Sequence, residues 1–268
     1  MAGVELWWLG QAGFRLRELA DGTTVFCDPF LTVSDNRSWQ APVDDEALAH
    51  ADLVLVSHEH GDHLDRPSLR AAAARPGSGF RLIVPRPLVH HIDDLGLSPE
   101  RVIGAQPDQP VEGNGVRVYP VRARHGINVA DAYTFGEELS DGLVRYLGYV
   151  VDIGRVRVYH AGDCSPYPGQ IETLRALRPD VALLPINGRD FFRESEHNIV
   201  GNMDFREAAR LAHEIGVQVL VPMHWELFGG NRGFPGDLVT YVANAFPRLS
   251  VLVLGQGARF TFQPTADT

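Results

Sequence analysis

The sequence predicts an α/β fold arranged as a four-layer αββα sandwich. Three observations lead there. The runs LVLVS (53–57) and VALLP (181–185) are continuously apolar, as in strands buried on both faces. The runs VRVYPV and RVRVYH alternate with period two, as half-buried strands do. Two β-rich stretches each give way to a helix-and-strand stretch, which suits two sheets packed face to face with helices outside. No linker, low-complexity tract or short repeat divides the 268 residues, so one domain over 1–268 is expected.

In chain order, VELWWLG, FRLRE and TTVFCDPF read as strands punctuated by Gly10, Gly13 and Gly22. The polar segment Thr32 to Ala41 reads as a loop, and LVLVS as a buried strand. Pro67 opens an Ala-rich helix, SLRAAAAR, where a first-turn proline is tolerated. RLIVP is a strand, and RPLVHHIDDLG a helix stopped by Gly96. After VRVYPV a loop leads to the strand before RVRVYH. IETLRALRPD is a helix ended by Pro179, then comes VALLP. An irregular polar stretch (186–201) precedes a helix with Phe205, Ala208, Ala209, Ala212 and Ile215 on one face. VQVLVP and SVLVLG read as buried strands flanking the helix GDLVTYVANAF, and PTADT as a frayed end.

Composition narrows the function. Hydrophobic residues make up 44% and charged residues 22%, the balance of a soluble globular protein. The net charge of -10 disfavours long nucleic acids, whose phosphates need clustered Lys and Arg. A small anionic substrate stays compatible with it. No stretch approaches the ~18 apolar residues of a spanning helix, and no secretory signal is visible. With two cysteines, Cys27 and Cys164, no disulfide framework is implied, and a cytoplasmic location is expected. A homo-oligomer is a reasonable prior.

The chemistry concentrates in SHEHGDHLD (57–65). His58, His60 and Asp62 are two apart and share one side of an extended segment. His63 breaks that phase, so the chain must turn there, and Gly61 eases the turn. Such a turn can aim ligands at two neighbouring ions. Neutral imidazole and carboxylate suit zinc, manganese or iron. His125, Asp163 and His224 each follow a predicted strand end, where functional loops gather, and complete a set of five His and two Asp. Asp163 is the candidate bridge. Asp28, in FCDPF, is a candidate to receive a ligand's second ring N–H, or else an Asp-Pro turn former. His160 reads as a packed, hydrogen-bonded strand residue. Asp65 and Glu59 read as capping or solvated groups, and Cys164 as a small residue in a tight turn.

These motifs resemble a known family. SHEHGDHLD is similar to the HxHxDH signature of the metallo-β-lactamase superfamily, HAGDC to its Gly-Asp turn, and PMHW to its last His motif. WWLGQAGFRL, AGDCSPY and MDFREAARLAHEIGVQVLVPMHW further resemble the L-ascorbate-6-phosphate lactonase-like group. The flavin-linked di-iron members instead resemble HxExD, with Glu where this chain has His60, which argues against a redox role. The resemblance implies a metal-dependent hydrolase with two divalent ions, Mn2+ or Zn2+. His58, His60 and His125 would hold one, Asp62, His63 and His224 the other, and Asp163 both. Ions about 3.5–4 Å apart would supply a bridging hydroxide at neutral pH. Asp62 is then also the candidate to return a proton to the leaving group. The expected substrate is a small ester, lactone or phosphorylated metabolite, with cyclic nucleotides or other phosphodiesters as the alternative. Its contacts are expected from Asn187, Arg189, Arg193, Asn202 and Trp225, with Asn198, Tyr133 and Phe135 as further loop candidates and Asn202 also as a helix cap.

Overall fold

The computed structural model describes residues 3–126, 142–189, 192–196, 200–229 and 231–264, and the side chains of all of these except 192 and 193. The strands are β1 (Val4–Gly10), β2 (Gly13–Glu18), β3 (Thr24–Cys27), β4 (Leu53–Leu55), β5 (Arg81–Pro85), β6 (Val102–Ala105) and β7 (Val111–Gly113). They continue with β8 (Val116–Arg122), β9 (Leu147–Ile153), β10 (Val156–His160), β11 (Val181–Pro185), β12 (Val219–Met223), β13 (Ser250–Val251) and β14 (Arg259–Phe262). The α-helices are α1 (Asp45–Ala49), α2 (Arg66–Ala74), α3 (Gln170–Leu177), α4 (Phe205–Ile215) and α5 (Pro235–Ala245).

Among the described residues the strands form two seven-stranded sheets, ordered β14-β1-β2-β3-β4-β5-β6 and β13-β12-β11-β10-β9-β8-β7. Each is antiparallel at one side and parallel at the other, the change falling at β3 and at β10. The αββα sandwich expected from the sequence is the observed fold.

Side-chain alternation explains the unbroken apolar runs. In β1, Leu6 and Trp8 enter the core between the sheets, while Trp7 and Leu9 join a second core beneath α1 and α2. Leu53 and Leu55 of β4 likewise face inward, and Val54 and Val56 outward. A strand covered on both faces has no wet side to mark with polar residues, and each fully buried aliphatic side chain contributes about 1.5–3 kcal/mol. On the second sheet, α4 packs on β11 and β12, burying Ala208, Ala209, Leu211, Ala212 and Ile215. Phe205 is only partly buried, and Leu211 takes a place on the buried face.

Three expectations need correction. RPLVHHIDDLG is not one α-helix but two 3-10 segments, 86–91 and 93–95, although Gly96 does end it with a left-handed cap. SVLVLG pairs through only Ser250 and Val251, neither of them buried. Helix α4 is capped by Asp204 with Glu207 in a reciprocal capping box, not by Asn202. Asp65 caps α2 as expected, yet it is buried rather than solvated, and it also accepts hydrogen bonds from Leu31 N (2.7 Å) and Thr32 N (2.8 Å). No helix among the described residues is long and apolar enough to cross a membrane.

Candidate metal centre

The site assembles at strand ends. Asp28 follows β3, the run His58–His63 follows β4, His125 follows β8, Asp163 follows β10 and His224 follows β12. In open α/β sheets, ligands bind beyond the C-terminal ends of parallel strands, and β3, β4, β10 and β12 each have a parallel neighbour, whereas β8 is antiparallel to both of its own. After β4 the chain turns as expected, with His63 N and Leu64 N both donating to His60 O (2.9 and 2.7 Å). The turn does not draw on glycine's freedom at residue 61, where an added Cβ would meet nothing within 4 Å.

The seven sequence-predicted residues come together in two groups. Ligand atoms of His58, His60, His125 and Asp163 lie within 4.8 Å of one another, and so do those of Asp62, His63 and His224. Asp163 stands between the groups. Its Oδ1 is 3.2 Å from His224 Nε2 and 3.4 Å from His63 Nε2, while its Oδ2 is 3.6 Å from His125 Nε2. His63 Nε2 and Asp163 Oδ1 are buried and make no hydrogen bond. Native proteins seldom leave such atoms unsatisfied without a reason, and a cation between them supplies one. The donor set, imidazole plus carboxylate, fits a divalent transition metal.

Electrostatics follow from the packing. Burial disfavours charge on His58, and His63 and His125 add to the effect, so its pKa lies well below the ordinary His value and the ring is a neutral donor. Burial also opposes charge on His63, but Asp163, Asp62 and Asp28 surround it and push its pKa well above the ordinary value. Burial would raise the Asp163 carboxyl, yet His224, His63 and His125 hold it well below its usual range.

A model of the family described as a beta-lactamase superfamily domain matches residues 23–225, from β3 to the residue after His224. The chain belongs to the metallo-β-lactamase superfamily. A UPF0173 metal-dependent hydrolase of Hyperthermus butylicus is 28% identical over 256 residues, covering 95% of this chain and 98% of the relative. One of Methanosarcina mazei is 29% identical over 239 residues, covering 88% and 90%. Among solved structures, Igni18, a metallo hydrolase from Ignicoccus hospitalis, is similar with TM-score 0.74 and 23% identity, covering 98% of this chain and 100% of that one. An isothiocyanate hydrolase from Delia radicum gut bacteria is similar with TM-score 0.73 and 19% identity, covering 97% and 100%. At those identities the two structures speak for the fold alone.

In this superfamily member one buried carboxylate orients donors of both groups. Asp28 adopts a left-handed backbone (φ 42°), and its Oδ1 accepts from Ser57 N (2.7 Å). Its Oδ2 accepts from Ser57 Oγ (2.6 Å) and from His63 Nδ1 (2.7 Å). With its own hydrogen on Asp28, Ser57 Oγ is left to accept from His58 Nδ1, 2.9 Å away. Both rings are thereby set to present Nε2 to the cluster. His125 is fixed the same way, its Nδ1 donating to Gly201 O (2.7 Å). Replacing Asp28 by Asn is expected to weaken metal binding about 10–100-fold, the usual effect of removing such a partner, while leaving stoichiometry near the parent's at saturating metal. Equilibrium dialysis against Zn2+ checks it.

The expected substrate contacts scatter. Asn187 and Asn202 are buried and bonded to each other (Nδ2 of Asn202 to Oδ1 of Asn187, 3.1 Å), and Asn187 Nδ2 continues to Asn231 Oδ1 (2.7 Å). Arg189 is turned onto Glu207 (3.0 Å) and Glu194 (2.8 Å). Trp225 stacks on Trp8 with centroids 5.6 Å apart and donates to Pro222 O (3.2 Å). The Arg193 side chain, Asn198, Tyr133 and Phe135 lie outside the described residues. His160 is, as expected, a packed strand residue, with Nε2 bonded to Ala12 O (2.7 Å). Glu59 pairs with Arg145 (2.5 Å). Sequence reasoning missed Ser57, Gln11 and Glu226. Gln11 carried no signal beyond the WWLGQAGF resemblance.

Proposed function

We propose that the chain is a metal-dependent hydrolase with two divalent ions, Mn2+ or Zn2+, acting on a small, anionic ester, lactone or phosphorylated metabolite. The observation that carries this reading is the position of Asp163, with one oxygen toward each donor group. His58, His60 and His125 would hold one ion and Asp62, His63 and His224 the other, with Asp163 common to both. When bound, such ions acidify water toward neutral pKa and polarise a carbonyl or phosphoryl oxygen.

The chain's own residues do the rest. Asp28 and Ser57 hold the His63 and His58 rings in the donor orientation. Asp62 is the carboxylate of the set in touch with solvent, its side chain 22% exposed against 6% for Asp163. It would be the group to pass a proton to a leaving oxygen. The names of the relatives, metal-dependent hydrolases, support the same reading.

Elemental analysis of protein purified without added metal tests it, followed by chelation, reconstitution with Mn2+ or Zn2+, and assay on lactones, aryl esters and phosphodiesters. About two ions per chain are expected, with hydrolysis lost on chelation and restored by one of the two metals. A chain that stays metal-poor after reconstitution, or hydrolyses regardless of chelator, sinks the mechanism. Turnover confined to phosphodiesters would move the substrate class to the alternative.

A further inference from the structure

Phe30 and Phe228 are both partly exposed, and their ring centroids lie 6.2 Å apart with the planes tilted at 39°. They come from two sides of the Asp62–His63–His224 group. Phe30 stands two residues after Asp28, whose Oδ2 is bonded to His63 Nδ1, and one before Leu31, whose N donates to Asp65 Oδ2 (2.7 Å). Its backbone therefore runs beside the loop that carries Asp62 and His63. Phe228 stands four residues after His224, on the loop beyond β12. The ring pair thus joins the two loops that supply this donor group.

Both rings are fixed from behind. Arg37 is 6% exposed, and its guanidinium carbon lies 4.5 Å from the centre of the Phe30 ring. Its Nη1 donates to Phe30 O (2.8 Å) and Thr32 O (3.2 Å), and its Nε to Trp39 O (3.2 Å). The next residue ties this segment to the His224 loop, with Ser38 N donating to Leu227 O (3.0 Å) and Ser38 Oγ to Glu226 O (3.0 Å). Phe228 O accepts from Asn231 N (3.0 Å), and Asn231 Oδ1 from Asn187 Nδ2 (2.7 Å).

This corner offers carbon, not charge. Arg37 is turned onto backbone carbonyls, and its remaining nitrogen, Nη2, is buried as well. Ring surface that is exposed and already held in place favours an apolar ligand group twice over. Covering it removes apolar area from water, and little ordering entropy is lost when the ligand arrives.

We infer that Phe30 and Phe228 are the specificity-determining pair of the site, taking an apolar substituent of an ester or lactone. The inference rests on the hydrolase reading above and narrows its substrate class.

The test uses the whole, metal-loaded chain. Calorimetry compares the binding of phenylacetate and acetate. Turnover compares methyl phenylacetate and benzyl acetate with methyl acetate, so that the apolar group enters from either side of the scissile bond. The parent is expected to favour the phenyl-bearing probes about 10–100-fold, carried by Kd and KM. Phe30→Ala and Phe228→Ala should each cut that preference at least fivefold at unchanged metal content. The leucine variants, which keep apolar bulk, should hold it within threefold of the parent. A parent with no preference above threefold in binding or turnover would overturn the inference, whatever the variants do. So would alanine variants that keep the preference, or that lose phenyl-bearing and small probes equally, the mark of a merely structural role. Selective binding of phenylacetate with no ester turned over would fail the hydrolase reading and leave the pair standing.

Discussion

Replacing Asp163 by Asn is expected to strip the chain of both ions and of its hydrolytic activity. The substitution keeps the shape and removes the charge, so its effect is electrostatic. The carboxylate is buried and faces His224, His63 and His125 at 3.2, 3.4 and 3.6 Å. Removing one partner of a buried charged set costs about 3–5 kcal/mol, which is roughly two to three and a half orders of magnitude in affinity. Because each oxygen serves a different group, neither position escapes. Elemental analysis after dialysis checks this, beside turnover at saturating metal. Retention of close to two ions, with turnover within tenfold of the parent, would remove Asp163 from its central place.

Gly162→Ala is expected to damage fold and site together. Gly162 holds φ at 60°, a conformation that costs an L-residue about 1–2 kcal/mol. An added Cβ would stand 2.6 Å from Ser57 Cβ and 2.9 Å from both Leu147 O and Ser57 Oγ. Overpacking of that kind costs a further 1–3 kcal/mol or so. Relief requires Ser57 to move, and Ser57 is the link between Asp28 and His58. At about 2–4 °C per kcal/mol for a chain of this size, the melting temperature should fall by roughly 4–20 °C. Metal affinity should fall with it. Gly61→Ala, whose Cβ meets nothing, is the control and should melt like the parent. Equal melting temperatures for the two variants would mean that the Ser57–Gly162 contact relaxes without consequence.

The sandwich was legible because strands buried on two faces leave continuous apolar runs, and β4, β5, β11 and β12 all have them. What escaped notice was short or half-wet. Val102–Ala105, Val111–Gly113 and Arg259–Phe262 carry too few buried positions to stand out from loop sequence. The 86–95 stretch read as helical from its apolar spacing, but short tight turns share much of that spacing. In the site, His58 to His63 announced itself by density, and His125, Asp163 and His224 by following strands. Asp28 was legible as a carboxylate at a strand end. Gln11 and Ser57 were not, since a neutral side chain has no local signature: Gln11 meets Asp62 and His224, 51 and 213 positions away, and Ser57 meets Asp28, 29 positions away, only in the fold.

The strand order also bears on pairing between the sheet edges of separate copies. A sheet edge is a row of open backbone donors and acceptors, and a long flat one recruits further strands. The four edges among the described residues are β14 and β6, with four residues each, β7 with three and β13 with two. The longer β1 is shielded by β14 returning from the far end of the chain, and Arg259 on that short outer strand adds a charge. Edge-to-edge fibre growth therefore has little to build on among the described strands.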